Sequence, residues 1–158
     1  MSPRGKAIAW AAGAALLVAF IGGGVTDTGP WYQALEKPWF QPPDWLFAPA
    51  WTLIYALTAI AGVQSWRAAP AGPQRDWLLV AFAANGFLNV LWSLLFFGLR
   101  RPDWAAVQVV LLFLSVAVLI WLAGRHAPVA RWLLAPYLAW VGFAGVLNWA
   151  VVLLNPSS

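Results

Sequence analysis

The sequence contains no cysteine. That excludes a disulfide framework, a thiolate nucleophile, and any metal or iron–sulfur centre held by thiolates. Charge is almost as scarce: 9% of residues are charged, against 63% hydrophobic, where a soluble domain carries roughly a quarter charged residues. There is one histidine, His126. It stands in a short loop between Arg125 and Pro128, where it reads as a surface residue rather than an axial haem ligand. Asp27, Asp44, Asp76 and Asp103 all fall near segment ends, so a Ser–His–Asp arrangement is not credible. The glycines at 22–24 are followed by no Lys–Ser/Thr pair, so no phosphate loop is visible. The calculated pI near 10.1 does not point to nucleic acid, because the basic residues sit singly or in pairs rather than on one face.

The few charges leave five long gaps. Residues 7–26, 45–66, 77–99, 104–124 and 132–158 contain none. A membrane-spanning helix needs about 20 mainly apolar residues, and lipid offers no hydrogen bonds to an open backbone, so each gap predicts a helix. The expectation is an all-α integral membrane protein: one domain over residues 1–158, with helices at about 7–25, 45–66, 77–99, 103–124 and 128–154. The first apolar run is too long for the core of a signal peptide, and no clear small-x-small cleavage site follows it. It therefore reads as the first helix. Pro136 predicts a kink in the fifth.

Tryptophan is abundant: thirteen residues. Trp10, Trp66, Trp77, Trp104, Trp121 and Trp132 lie near predicted helix ends, the pattern of an interfacial aromatic belt. Trp31, Trp39, Trp45 and Trp51 crowd into one stretch instead. The connection at 26–44 carries four prolines, which forbid a continuous helix. It also carries Trp31, Tyr32, Trp39 and Phe40, which make it too aromatic for a solvated linker. It reads as an ordered cap over one mouth of the bundle, with Asp44 as N-cap of the next helix. Lys and Arg favour the side of the N-terminus: Arg4, Lys6, Arg67, Arg75, Arg125 and Arg131 there, against Lys37, Arg100 and Arg101 opposite. This predicts an N-in, C-out orientation with the cap facing outward.

Helical spacing sorts the polar residues of the spans. Asn85, Asn89 and Trp92 share a face of the third helix, and Trp51, Tyr55 and Thr58 share one on the second. Trp140, Ala144 and Asn148 align on the fifth with Tyr137 beside them. Each set places an aromatic ring next to an amide or hydroxyl, as a pocket for an oriented ligand requires. The alternative for the asparagines is hydrogen bonding between helices. No span interior holds an ionised residue, which argues against a proton relay or charge-coupled pump. Ala7, Ala11, Ala15, Ala19 and Gly23 form a small-residue stripe on the first helix, read as a packing seam within the bundle or between two copies.

Three stretches carry a resemblance. WYQALEKPWFQPPDWLFAPAWTLIY (31–55), NGFLNVLWSLLFFG (85–98) and APYLAWVGFAGVLNW (135–149) resemble the first loop with second helix, the third helix and the fifth helix of the TspO/MBR family. That family comprises the tryptophan-rich sensory proteins of bacteria and the mitochondrial translocator protein, once called the peripheral benzodiazepine receptor. The resemblance covers nearly the whole chain. It implies a five-helix bundle, often a homodimer, in a bacterial cell envelope membrane. It further implies a cavity beneath the first loop that binds porphyrins, including haem, and isoquinoline-type ligands. Carried over by motif, Trp51, Asn89, Trp92, Trp140, Ala144 and Asn148 line that cavity, and Trp31, Tyr32, Trp39 and Pro42 form its lid. Tyr55 and Trp104 complete the candidate ligand contacts. Some bacterial members degrade protoporphyrin in light, which would assign that chemistry to Trp51 and Trp140; no other catalytic or metal-binding residue is expected. One departure stands out. The late fifth-helix motif associated with cholesterol in animal members has a tyrosine followed by a basic residue. Here Trp149 stands at the tyrosine, and no Lys or Arg follows Arg131.

Overall fold

The computed structural model describes residues 3–156; the outermost two residues at each end of the expected 1–158 domain lie outside the described residues. The elements in order are α1 (Pro3–Val25), a short α2 (Pro30–Ala34), α3 (Phe47–Ala68), α4 (Pro73–Ser93), α5 (Pro102–His126) and α6 (Pro128–Leu154). A 3-10 turn, Asp44–Leu46, leads into α3. There is no strand among the described residues. Five helices are long and apolar enough to cross a membrane, and the protein is an integral membrane five-helix bundle with an ordered, Trp- and Pro-rich first loop.

Proline sets several of the starts. Pro30, Pro73, Pro102 and Pro128 each lie in the first turn of their helix, where the missing N–H has no intrahelical partner to lose. Pro73 thereby opens α4 four residues before the expected position. Gly72, with φ of 107°, supplies the left-handed turn ahead of it. Within the loop, Pro30 nucleates the one-turn α2, which the proline count alone did not predict. Pro136 lies inside α6 and withdraws one donor from the helix ladder.

The far end of α4 departs from a regular helix. Its last turn, Leu94–Gly98, is widened, with the Leu99 N–H bonding the Leu94 carbonyl at 2.8 Å and the Arg101 N–H the Leu95 carbonyl at 2.9 Å. Arg100 closes this turn in a left-handed conformation, φ 54°, unusual for a side chain with a Cβ.

α5 and α6 form the central hairpin. Gly145 allows close approach, since a Cβ there would meet Val109 at 3.4 Å. Leu112, Val116, Leu119, Ala123, Ala130 and Leu134 pack into a core that α3 and α4 complete through Ile54, Ala61 and Leu78. A second cluster, Tyr32, Leu35, Phe96, Ala105 and Val151, fastens the loop to the bundle. α1 lies outermost against α3 and α4. Its contact with α4 depends on Gly86, where a Cβ would come within 3.1 Å of Val18. With no water to exclude between helices in lipid, such close packing and the buried hydrogen bonds hold the bundle together.

Candidate functional site

Between α1, α3, α4, α6 and the loop lies a cavity of about 800 Å³, within the range of drug-sized ligand pockets. Its depth is aromatic. The Trp51 ring stacks on Tyr55 with centroids 5.5 Å apart, and stands edge-on to Trp140 at 6.4 Å and 88°. Trp92 stacks on Phe96 at 5.4 Å. Phe47, in the first turn of α3, meets Trp140 at 5.8 Å.

The polar groups of this wall are mostly engaged with one another. Asn89 accepts from Tyr55 at 2.8 Å and donates to Tyr137 at 3.1 Å. Tyr137 donates in turn to Asn85 at 3.0 Å, and Asn85 donates to Ser115 at 2.8 Å. Asn148 accepts from the Trp92 indole at 3.1 Å and donates to the Pro102 carbonyl at 2.9 Å. These amides link four helices and fix the rings around the hollow. Asn85 lies behind the wall rather than in it.

One donor is left over. Trp140 Nε1 is buried and has no partner among the described residues, a costly state for an N–H in an apolar setting. Trp140 lines the cavity.

Of the residues singled out from the sequence, Tyr32, Trp51, Tyr55, Asn89, Trp92, Trp140, Ala144 and Asn148 are brought together around the cavity. Trp31, Trp39, Pro42 and Trp104 are not. Trp31 packs edge-on against Phe96 at 6.0 Å, under the Arg100 guanidinium. Trp104 is half exposed on the outer surface of α5, with Arg101 4.3 Å over its ring. Trp39 is 95% exposed. Asp44 does not cap α3 with its side chain; it accepts instead from the Tyr32 hydroxyl at 3.1 Å. Burial beside Asp44 raises the Tyr32 phenol to about 12. Gln41 Nε2 donates to the same hydroxyl at 3.0 Å.

Sequence reasoning missed the outer wall. Ala12, Ala15, Leu16, Ala19 and Gly22 of α1 and Ala48, Thr52 and Ala56 of α3 also line the cavity. Leu16, Ala48, Thr52 and Ala56 are exposed. The small-residue stripe was the available signal: residues without bulk leave space as readily as they permit contact.

The TspO/MBR family model matches residues 10–154. The chain is similar to the tryptophan-rich protein TspO of Archaeoglobus fulgidus, 40% identical over 144 residues, covering 90% of this chain and 92% of that one. It is similar to the tryptophan-rich sensory protein of Cereibacter sphaeroides, 34% identical over 133 residues, 84% and 82% of the two chains. With the translocator protein of Bos taurus it shares 35% identity over 120 residues, 75% and 71% of the two chains. Matches of this extent place the chain in the TspO/MBR family.

Proposed function

We propose that this protein is a membrane receptor of sensory type that binds porphyrins, haem among them, and other flat lipophilic ligands in its aromatic cavity, regulating a tetrapyrrole or stress response. The carrying observation is the pair Trp51 and Trp140, set at right angles in the cavity wall with the Trp140 N–H unpartnered. A flat macrocycle has aromatic faces in this wall to stack on. The names of the relatives, sensory and translocator proteins, support a receptor role.

Protoporphyrin should quench the intrinsic tryptophan fluorescence saturably, in the micromolar range or tighter, and Trp51→Ala or Trp140→Ala should weaken this. Quenching that never saturates, or two variants that bind like the wild type, would overturn the reading. A second reading, light-driven consumption of the porphyrin, draws on the same two indoles as electron donors to the excited macrocycle. Illumination should then bleach the porphyrin band faster with protein than in empty detergent micelles; equal rates would exclude it.

A further inference from the structure

Nearly every hydroxyl and amide that lines the cavity is committed elsewhere in the protein. Asn89 and Asn148 bond neighbouring helices, and the Thr52 hydroxyl bonds back to the Ala48 carbonyl at 2.8 Å. On the loop side, Asp44 and Gln41 hold the Tyr32 hydroxyl. The loop itself is clamped to the end of α6, where the Asn155 side chain accepts from the Glu36 N–H and donates to the Glu36 carbonyl, both at 2.9 Å. Ser93, the last residue of α4, is the exception. It lines the cavity and is only 9% exposed, yet its hydroxyl makes no hydrogen bond among the described residues.

Serines and threonines in helices commonly bond the carbonyl one turn back. Thr52 does so, and Ser65 does so to Ala61 at 2.8 Å. The Ser93 side chain turns toward α1 instead. There it faces Gly22, which is buried: a Cβ on Gly22 would lie 3.9 Å from Ser93 Oγ. The same point lies 3.9 Å from Tyr55 Oη, which α3 contributes. Tyr55 gives its proton to Asn89 at 2.8 Å, so its oxygen is left to accept. No hydrogen bond joins the two oxygens. Three helices thus border a polar niche in a mainly apolar wall, with a free hydroxyl on one side, a free lone pair on the other, and a glycine where a side chain would intrude. In apolar surroundings an unbonded hydroxyl carries a standing cost.

We infer that this niche is a polar subsite that selects lipophilic ligands carrying a hydroxyl. The ligand oxygen accepts from Ser93 Oγ and its hydrogen goes to Tyr55 Oη. The flat body of the ligand lies along the Trp51–Tyr55 stack, whose rings are 5.5 Å apart. The inference rests on the reading of the cavity as a ligand site and adds the functional group recognised there. A site built to bond a hydroxyl discriminates against the analogue that lacks it.

The test uses 1-pyrenemethanol and 1-methylpyrene, two flat probes that differ by that hydroxyl. Saturable energy transfer from tryptophan to pyrene is titrated in nanodiscs for the wild type, Ser93→Ala and Gly22→Ala. Ser93→Ala removes no hydrogen bond, and Gly22→Ala adds a methyl at ordinary contact distance from both oxygens, so neither should lower the unfolding temperature. The alcohol should bind each variant about tenfold more weakly than the wild type, while 1-methylpyrene binds all three alike. Comparing each probe with itself cancels its partition into lipid. An alcohol that does not bind saturably, or that binds both variants as it binds the wild type, overturns the subsite. An equal loss of both probes overturns it too, because the effect is then one of shape. Saturable quenching by protoporphyrin beside any of these results leaves the receptor reading in place without the subsite; no saturable signal from any of the three ligands removes both.

Discussion

Trp92 of α4 and Asn148 of α6 are joined by an indole-to-amide hydrogen bond of 3.1 Å. Asn148 continues the link to the Pro102 carbonyl, so one buried amide ties α4, α6 and the start of α5. Asn148→Ala leaves the Trp92 N–H and the Pro102 carbonyl unpaired, and should cost roughly 1–2 kcal/mol. Denaturant unfolding in mixed micelles would read this. In the double variant with Trp92→Phe the two losses should add to less than their sum.

Trp140→Phe separates binding from stability. The indole N–H has no partner to lose, so ligand-free stability should stay within about 0.5 kcal/mol of wild type. Porphyrin affinity should fall about tenfold, or ~1.4 kcal/mol. Thermal unfolding and fluorescence titration measure the two. Equal affinity in the two proteins would mean that the nitrogen plays no part in recognition.

The Tyr32 latch carries a pH signature. Burial first, and the Asp44 charge second, lift the phenol from 10.0 to about 12. A phenol whose proton is held more tightly in the folded state stabilises that state below pH 10 and loses the effect as pH rises from 10 to 12. The stability gap between wild type and Tyr32→Phe should therefore be full at pH 8 and smaller near pH 12. A gap that does not change with pH would show that the hydroxyl contributes no proton-linked stability.

Arg100 occupies a backbone conformation that glycine adopts at lower cost, φ 54°. Arg100→Gly should leave stability unchanged or raise it by up to about 1 kcal/mol, since the relieved strain is offset by the chain entropy of glycine. A fall of more than ~1 kcal/mol would assign the difference to the lost contact with Trp31, 5.9 Å from the guanidinium. Thermal unfolding of the two proteins decides.

The spans were legible because lipid imposes one rule on every residue of a helix: 20 uncharged positions in a row have few other uses. Residues spaced by three and four converged for the same reason, and Tyr55, Asn89 and Tyr137 meet because each sits on an inward face. What the sequence conceals is the pairing. Asn89 and Asn148 read equally well as ligand contacts or as bonds between helices; in the structure both line the cavity while their side chains are engaged by neighbouring residues. Trp39 and Trp51 look alike as letters, yet one is bare and the other stacks on Tyr55. That difference depends on where three prolines turn the chain. The α1 wall was hidden because alanine carries no chemical signature of the space beside it.

Asn155 is synthesised 119 residues after Glu36. While the chain is being made, four helices can enter the membrane with the first loop held by Trp31, Tyr32 and Leu35 against the end of α4 and the start of α5, and its clamp on α6 still missing. That clamp arrives last, when α6 is complete and Asn155 can meet Glu36. Damage to the tail of this protein would accordingly be felt at its opposite end in sequence, in the segment that shuts the hollow.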